Sequence, residues 1–557
     1  MRVYKVIFAL AALGALATIW LPPVLVLGLV LLLGAVVFLS RRLDFGLIIL
    51  VFFFPYLGLT VDFGGMTALR SIPYIKNVNA PFVDLYGLVL FTAWLVHLLF
   101  RHSERLPAQA GSEESRGGKN GILQSLYSFR MTRGIHLKSY LLFWLSGLVS
   151  LFKVSALNFA TSLKYFVRPF TFFYLVFFAA PVSIMTSFRH PERSEEHALS
   201  LPKGSRALQD GILRPACAGL RMTDFLEKVL WVFYWTGLLS AVNGFLGLVF
   251  GAWTEFPRAT PFAFLGVNPL GPNHNLLAET LIATAPAGLI LINKAKLLAL
   301  SARWIQYGMV FQWIIALLTF ARTAWIAIFA QAAVYLYLEH RRDVRAVLKR
   351  FAPVLILVAV LAVFLGATAF TETVRGSTLS RLDMARIVEF YFLRSPWVGQ
   401  GVGTFLPLLW QTKVFTLEYG EPLEAHGILF KLALEQGLLG LTAFVIFTGS
   451  ILISIRKSFR KICHSERSEE SRANTRNAYT NEILRSPRGS LRITDCDHTA
   501  LVAALLIAVG SLTYQLFNTT YYTSKLWIPM AIAVAIAKIF GNAPRPPLTL
   551  RGGEGEL

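Results

Sequence analysis

The sequence predicts an all-α, polytopic membrane protein with about 12–14 transmembrane helices and a large extracytoplasmic loop between its late spans. Two observations lead to this fold class. Apolar residues make up 55% of the 557 residues, and many stand in runs of about 20, the length with which one helix crosses about 30 Å of hydrocarbon. The basic residues instead gather in polar segments between alternate pairs of these runs.

A window search for apolar segments gives about fourteen candidate spans, and an even number predicts both termini on the same side. The first span is followed by Pro22, Pro23 and a second apolar run without a small-residue cleavage site, so we do not expect a cleavable signal peptide. Segment 139–154 is short for a span, and segment 425–455 is too long for one simple crossing. The candidate spans are residues 4–20, 23–39, 45–60, 82–100, 139–154, 166–186, 228–250, 275–293, 298–320, 322–338, 351–370, 425–455, 499–516 and 525–541.

The net charge of +22 is a topological signal. With cytoplasmic termini, about 39 of the 53 Lys and Arg residues fall on the cytoplasmic side, as the positive-inside rule requires. The basic composition is therefore explained without nucleic acid, and we expect membrane lipids and not nucleic acid as partners.

The sequence gives little support to a metal site or an extracytoplasmic disulfide. Cys217, Cys463 and Cys496 all fall in predicted cytoplasmic segments, and no pair has metal-ligand spacing. The predicted outer loops contain no Asp-x-Asp pair or compact carboxylate cluster that would suit a divalent cation. We therefore expect no metal and no cofactor.

Three cytoplasmic loops repeat one another. They start near His102, His190 and His464 and share Glu-Arg and Glu-Glu elements followed by Ile-Leu and an Arg-Met-Thr or Arg-Ile-Thr element. Their polar, weakly patterned composition favours disorder, and long loops tolerate insertion at small cost; the alternative is a docking element for partners. The predicted division is 1–100 membrane spans, 101–138 repeat insertion, 139–186 spans, 187–225 repeat insertion, 226–455 catalytic membrane core with periplasmic loop 371–424, 456–498 repeat insertion, and 499–557 spans and tail.

Candidate site residues begin with Arg258 and Asn273, which lie in the loop before the span at 275–293. Asn273 is a suitable N-cap, and a helix N-terminus that faces a cavity attracts phosphate. The alternative is that Gly, Pro and Asn here only turn the chain. Arg322 stands between two apolar runs with almost no loop, where an arginine marks a functional site or an internal partner; the alternative is snorkelling to lipid headgroups.

The loop 371–424 contributes further cations. If residues 380–392 form a helix, Asp383 and Glu389 neutralise Arg386, whereas Arg381 has no acid three or four residues further on and is freer to meet an anion. Arg394 precedes a Gly-x-Gly-x-Gly run at 399–403. This run follows no strand–helix unit, so it is not a nucleotide fingerprint, and we expect it to let the loop fold tightly against the membrane domain.

The loop ends in Glu-Ala-His426, where the chain re-enters an apolar helix. A histidine titrates near neutral pH and can serve as a general base, although a lone interfacial histidine is more often a hydrogen-bonding group. Glu435 is nine residues further on and would point to the opposite helix face. Lys431 and Glu435 are spaced to neutralise each other within the membrane, so we expect a structural role for both.

In these residues the chain resembles the O-antigen ligase family, whose fold is shared with Wzy-type polysaccharide polymerases. The matching elements are the Arg258 to Asn273 turn, Arg322-Thr-Ala-Trp, Ser380-Arg381 running to the glycine-rich segment, and Ala-His426-Gly to Glu435-Gln-Gly. They match in order and in membrane placement across about 225–455. The family often has Asn after the histidine, where this chain has Gly427.

The resemblance implies a GT-C-like fold in the bacterial inner membrane with a periplasmic active site. It implies a metal-independent, inverting glycosyltransferase that moves a glycan from an undecaprenyl-diphosphate carrier to lipid A–core or another glycan acceptor. His426 would activate the acceptor hydroxyl, and Arg258, Arg322 and Arg381 would hold the diphosphate, with Asn273, Arg394 and Glu435 as secondary candidates. No cofactor is implied.

Three alternatives remain open at the level of sequence. The acceptor could be another lipid-linked repeat unit, as in a polymerase, or a protein hydroxyl, as in O-oligosaccharyltransferases. In a different class, the protein could transport a polysaccharide or lipid without covalent chemistry. That reading predicts charged residues along a transmembrane pathway and repeated halves, whereas the polar residues here concentrate at the predicted outer face.

Overall fold

The computed structural model describes residues 23–62, 79–103, 135–187, 224–251, 257–297, 302–339, 372–412, 427–477, 493–518, 520 and 523–541. Within them the chain is a bundle of packed helices with one short hairpin, which confirms the all-α polytopic class. The predicted spans 4–20 and 351–370 lie outside the described residues, as do most of the first two repeat insertions. The total number of spans therefore stays a prediction.

The helices follow one another in an almost purely α-helical order. They are α1 Pro23–Arg41, α2 Leu43–Phe53, α3 Phe82–Ser103, α4 Ile135–Leu151, α5 Phe159–Val167, a π-helical stretch Arg168–Ala179, α6 Ala180–Ser187, α7 Asp224–Phe250, α8 His274–Thr284, α9 Ala287–Leu297, α10 Ala302–Leu318, α11 Arg322–Glu339, α12 Glu372–Arg394, α13 Phe405–Gln411, α14 Ile428–Asn477, α15 Ile493–Phe517 and α16 Ser524–Gly541. Strands β1 Thr60–Asp62 and β2 Asn79–Pro81 pair antiparallel, with Val61 opposite Ala80.

Seven helical segments of the described chain are long and apolar enough to cross a membrane. They are Phe82–Phe100, Phe159–Ser187, Phe225–Phe250, His274–Asn293, Ile428–Arg460, His498–Phe517 and Ser524–Gly541. Helix α16 lies at the centre, with 94% of its apolar window buried. Its alternating small residues Ala531, Ala533 and Ala535 are buried, which is how membrane helices approach one another closely.

The loops that connect the helices lie at the two ends of the bundle. At one end, Gly58 N donates to Pro269 O at 2.9 Å, and Ser524 Oγ donates to Phe54 O at 2.8 Å. We call this the site end; α2, α7, α10 and α15 finish there, and α3, α8, α11 and α16 begin there. At the opposite end His498 lies 3.3 Å from Glu339. This alternation agrees with the order of the predicted spans.

Helix α14 covers the described part of the predicted span 425–455, and it bends sharply. Helix α14 runs continuously from Ile428 except at Gly437, whose φ of 62° and ψ of −155° are non-helical. Helix α14 therefore consists of two helical arms joined at Gly437.

The predicted span 275–293 is also divided, because α8 ends at Thr284 and α9 begins at Ala287. Pro286, between them, cannot donate the helical hydrogen bond.

The glycine-rich loop closes the break at Gly437. Gln400 N and Gly401 N donate to the carbonyls of Leu434 and Glu435, at 2.8 and 2.9 Å. In the other direction, the amides of residues 438 and 439 donate to the carbonyls of residues 396 and 397, at 2.8 and 3.1 Å. The expectation that the glycine run folds tightly against the membrane domain is confirmed.

Replacing Gly437 by alanine should destabilise the protein strongly. A Cβ there would stand 2.5 Å from Pro396 O, in a backbone region that costs other residues about 1–3 kcal/mol. The loss is measured as a fall in the thermal unfolding temperature in detergent. Gly449→Ala on the same helix is the control, because its Cβ meets nothing within 4 Å and alanine is the better helix former by about 1 kcal/mol. Equal unfolding temperatures for the two variants would contradict this account of the break.

The predicted periplasmic loop 371–424 contains two helices. Buried Met384 and Val388 of α12 pack with Phe405 and Leu409 of α13 and with Leu434 of α14 in a small separate core. The predicted helix at 380–392 is thus confirmed and is longer than expected. This core fixes α12 on the first arm of α14.

The third repeat insertion differs in part from the expectation of disorder. Helix α14 continues through its first half to Asn477. Its Ser-Glu-Arg-Ser-Glu-Glu-Ser-Arg segment mixes acids and bases at helical spacing, and it extends a helix that is already nucleated, so each added residue avoids the cost of nucleation.

Candidate functional site

The turn that carries Arg258 is attached to the end of α10. Ala259 N donates to Leu318 O at 2.8 Å, and α11 begins four residues after Leu318, at Arg322. Arg258 is half-buried, whereas Arg322 is exposed. Two of the three predicted diphosphate-binding arginines therefore lie on adjacent connections at the site end.

The α10–α11 connection is short and strained. Phe320 has a φ of 55°, unusual for a residue other than glycine, and Thr319 Oγ1 accepts from Ala321 N at 3.2 Å. Arg322 is the first residue of α11, where the helix dipole disfavours a cation and favours an anion. Backbone strain of this kind is found at functional sites, and here it presents a guanidinium beside a helix N-terminus.

Arg381 reaches the same region from α12. Burial, and after it the positive charge of Arg322, lower the pKa of the Arg381 guanidinium from its usual value. Arg381 Nε is buried and has no hydrogen-bond partner among the described residues. Two cations from helices far apart in sequence thus lie within electrostatic range of each other, an arrangement that a bound anion would stabilise.

Asn273 caps α8, as predicted from the sequence. Its side chain accepts a hydrogen bond from Asn275 N at 2.8 Å. The next residue, His274, is within electrostatic range of Arg258 and was not among the residues singled out from the sequence. The position of His274 directly after an N-cap could have indicated a role in anion binding, because the first turn of a helix that binds an anion faces the ligand.

Two other arginines of α12, Arg386 and Arg394, have local partners. Arg386 Nη1 lies 3.0 Å from Asp383 Oδ1, which confirms the predicted neutralisation. The Arg394 guanidinium carbon lies 4.0 Å from the centroid of the Phe390 ring, a cation–π contact on an exposed surface. Arg375 belongs to the part of α12 whose side chains lie outside the described set.

Glu435 is buried in a structural position. Lys431 Nζ lies 3.9 Å from Glu435 Oε1, and both side chains are almost fully buried. Glu435 Oε1 also accepts from Phe405 N at 3.2 Å, and Lys431 lies over the Tyr165 ring. The predicted ion pair is confirmed, and its contacts connect α14 to α13 and to α5, which contains Tyr165.

His426 lies outside the described residues, but the residue after it is described. Gly427 has a φ of 122°, and a Cβ there would stand 2.4 Å from Leu516 O, at the end of α15. This close approach explains why the chain has glycine at 427. On the same turn of α15, Tyr514 Oη donates to Asn275 O at 2.6 Å. The last turn of α15 therefore contacts both the start of α14 and the start of α8.

The candidate site contains no compact group of metal ligands among the described residues. Within the described ranges, no three His, Cys, Asp or Glu side chains are grouped closely enough to hold a metal ion. The arrangement brings Arg258, Arg322 and Arg381 together with the N-termini of α8 and α11. Chemically, it can bind and stabilise a multiply charged anion such as a diphosphate.

Comparison with known proteins shows that part of the chain is similar to a protein family. Residues 307–445 match the family model described as O-antigen ligase, which confirms the resemblance noted in the sequence. The matched range includes Arg322, Arg381, Arg394, His426 and Glu435, whereas Arg258 and Asn273 precede it. A comparison with curated proteins finds no match to the chain.

Proposed function

We propose, from the O-antigen ligase family assignment of residues 307–445, that this membrane protein transfers a glycan from an undecaprenyl-diphosphate carrier to an acceptor hydroxyl at the periplasmic face. The family supports a glycosyltransferase-type enzyme with a lipid-linked glycan and an acceptor as its partners. The donor, the acceptor hydroxyl of lipid A–core and the inverting mechanism are the specific content of the proposal.

The observation that carries the proposal is the grouping of arginines at the site end. The turn of Arg258 is hydrogen-bonded to the end of α10, four residues before Arg322, and Arg381 lies within electrostatic range of Arg322. Guanidinium groups match phosphate oxygens with two parallel hydrogen bonds. Fixed cations in a poorly hydrated cavity stabilise the charge that develops as the leaving group departs. In our proposal Arg258 contributes a third cation and the α8 N-terminus contributes backbone amides.

The reaction is a single displacement at the anomeric carbon. His426 accepts the proton of the acceptor hydroxyl as its oxygen forms the new glycosidic bond. The bond between the anomeric carbon and the diphosphate oxygen breaks, and the electron pair leaves with the diphosphate held by the arginines. Cleavage of the donor bond supplies the free energy, so no nucleotide is required.

We expect the transfer to continue in the presence of a chelator. In this mechanism guanidinium groups perform the charge stabilisation that a divalent cation performs in other transferases. The measurement is the initial rate of purified protein before and after EDTA. A rate that falls and is restored by added Mg²⁺ or Mn²⁺ would contradict the metal-free mechanism.

The test of the proposal is a reconstituted transfer reaction with an undecaprenyl-diphosphate-linked glycan and lipid A–core. Glycan that appears on lipid A–core, with release of undecaprenyl diphosphate, would support a ligase. Chain growth on the carrier would indicate a polymerase, and glycan on a protein acceptor would indicate an O-oligosaccharyltransferase. Movement of the glycan across the membrane without a new glycosidic bond would indicate a transporter.

The proposed orientation can be tested by labelling single cysteines. In a variant without the native cysteines, we expect a membrane-impermeant thiol reagent to label Gln411→Cys from the periplasmic side only. Gln411 is exposed at the end of α13. Lys457→Cys, exposed on α14 towards the opposite end, is the matched control and should be labelled from the cytoplasm only. The reverse pattern would invert the proposed topology, including the cytoplasmic termini.

A further inference from the structure

A buried polar network lies beneath the site end, between α8, α15 and α16. Glu279, Gln515 and Lys525 are each no more than 1% exposed. Buried charges in a membrane domain are costly unless other groups compensate them, and intramembrane ionisable residues by default mark a functional site. Neither Glu279 nor Lys525 takes part in the proposed reaction, so their role is separate.

The network is joined by short hydrogen bonds. Glu279 Oε1 accepts from Gln515 Nε2 at 2.7 Å and from Thr520 Oγ1 at 2.5 Å. Gln515 Oε1 accepts from Thr520 N at 2.9 Å. Glu279 Oε2 is buried without a hydrogen-bond partner among the described residues, and Lys525 compensates its charge through space. The carboxylate thus fixes the last turn of α15 and the connection that follows it.

The same elements hold the start of α8. Lys525 Nζ donates to Leu276 O at 2.7 Å, and Tyr514 Oη donates to Asn275 O at 2.6 Å. These two carbonyls belong to the first turn of the helix that Asn273 caps. The backbone of that turn is therefore attached to α15 and α16, next to the loop of Arg258.

The end of α15 also determines where α14 begins. A Cβ at Gly427 would stand 2.4 Å from the Leu516 carbonyl oxygen, so any side chain there would collide with α15. One turn of α15 accordingly contacts the α8 N-terminus on one side and the residue after His426 on the other. The separation between the start of α8 and the start of α14 depends on this turn.

We infer that the buried Glu279–Gln515–Thr520–Lys525 network is a positioning device that sets the separation between the start of α14, at Gly427, and the anion-binding start of α8. Glu279 and Lys525 are positioning residues and do not touch the reacting atoms. The inference rests on the proposed function for its catalytic consequence. Its structural part, the coupling of the α8 and α14 starts through α15, does not depend on the reaction.

The catalytic consequence is tested with Thr520→Val. This change removes the hydrogen bond that Thr520 Oγ1 donates to Glu279 Oε1 and the one that it accepts from Gln515 Nε2, and it leaves both charges in place. We expect kcat per folded molecule to fall about tenfold, because displacement of a reacting group by 1 Å can cost about a hundredfold. The donor KM should stay within about twofold, because the arginines are unchanged. Thr520→Ser should restore kcat. A loss of stability with unchanged kcat, or failure of serine to restore kcat, would overturn the catalytic role.

The charged pair gives a second series of variants. Glu279→Gln leaves the Lys525 ammonium buried without its counter-charge, and Lys525→Met leaves the carboxylate, so both should lower kcat more than Thr520→Val does. The double variant should regain part of the loss, because no uncompensated charge remains. Asp84→Asn is the matched control; it breaks the 2.6 Å ion pair with Arg168 and should leave kcat unchanged. An equal fall in kcat for Asp84→Asn would show that any lost ion pair has this effect.

Hydrogen exchange tests the structural part without a substrate. In Glu279→Gln, peptides that cover 274–280 and 427–433 should lose protection together, whereas in Asp84→Asn they should not. If hydrogen exchange increases in the 274–280 peptide alone, the inference that α15 couples the starts of α8 and α14 is overturned. If wild-type protein transfers no glycan, the proposed function fails, and joint loss of protection still supports the network as the link between the two helix starts.

Discussion

Replacing His426 by alanine should lower kcat by about 10²–10⁴-fold, the usual contribution of a positioned general base. The acceptor hydroxyl would then have to lose its proton to water as the glycosidic bond forms. Donor binding should change little, because the arginines that we propose to bind the diphosphate lie on other elements of the fold. The measurement is the initial rate of glycan transfer at several donor concentrations, which separates kcat from KM.

The control for this variant is His97→Ala. The His97 ring is 2.8 Å from Ser40 O, away from the site end, and its loss should leave kcat within about twofold. Glycan transfer by His426→Ala at more than about a third of the wild-type rate would remove His426 from the mechanism. A parallel loss in the His97 variant would mean that the effect is on folding.

Neutralising either arginine of the Arg322–Arg381 pair should lower kcat/KM by about 10²–10³-fold, as does the removal of one donor from a preorganised anion site. In Arg322→Gln/Arg381→Gln the losses should be less than additive, because both groups act on one diphosphate. Arg322→Lys should also be impaired, since lysine keeps the charge but lacks the planar fork of donors.

Arg386→Lys on the same helix α12 is the control, because Arg386 is exposed and paired with Asp383. Exposed ion pairs contribute about 0–1 kcal/mol, so this variant should keep full activity. Fully additive losses in the double variant would argue that Arg322 and Arg381 bind different groups. Full activity of Arg322→Lys would exclude bidentate binding by that residue.

Local patterns in the sequence predicted local structure well. Asn273 is the N-cap of α8, Lys431 and Glu435 form an ion pair, and the glycine run folds tightly, because each depends on residues close along the chain or on backbone conformation. The break at Gly437 was not predicted: a glycine inside an apolar run is compatible with a straight helix. Only its contact with the loop at 396–401 requires the break.

The sequence did not predict which residues contact each other across long separations in the chain. Glu279 and Lys525 are far apart in the chain, and neither has an opposite charge in its own apolar span, so nothing nearby reveals the pairing. The approach of Arg381 to Arg322 likewise depends on how α12 packs on the first arm of α14. Sequence reasoning selected Arg322 by its position between two apolar runs and Arg381 by the absence of a local acid, and tertiary packing brought them together.

The closure of the α14 break restricts how the chain can vary in length. Four backbone hydrogen bonds join residues 396, 397, 400 and 401 to the two helical arms at Gly437. An insertion or deletion of one residue between Pro396 and Gly401 would shift these partners out of register and leave peptide groups unpaired inside an apolar span, at a cost of several kcal/mol each. We therefore expect this segment to keep a constant length in functional variants, even where neighbouring loops lengthen to accommodate a different acceptor.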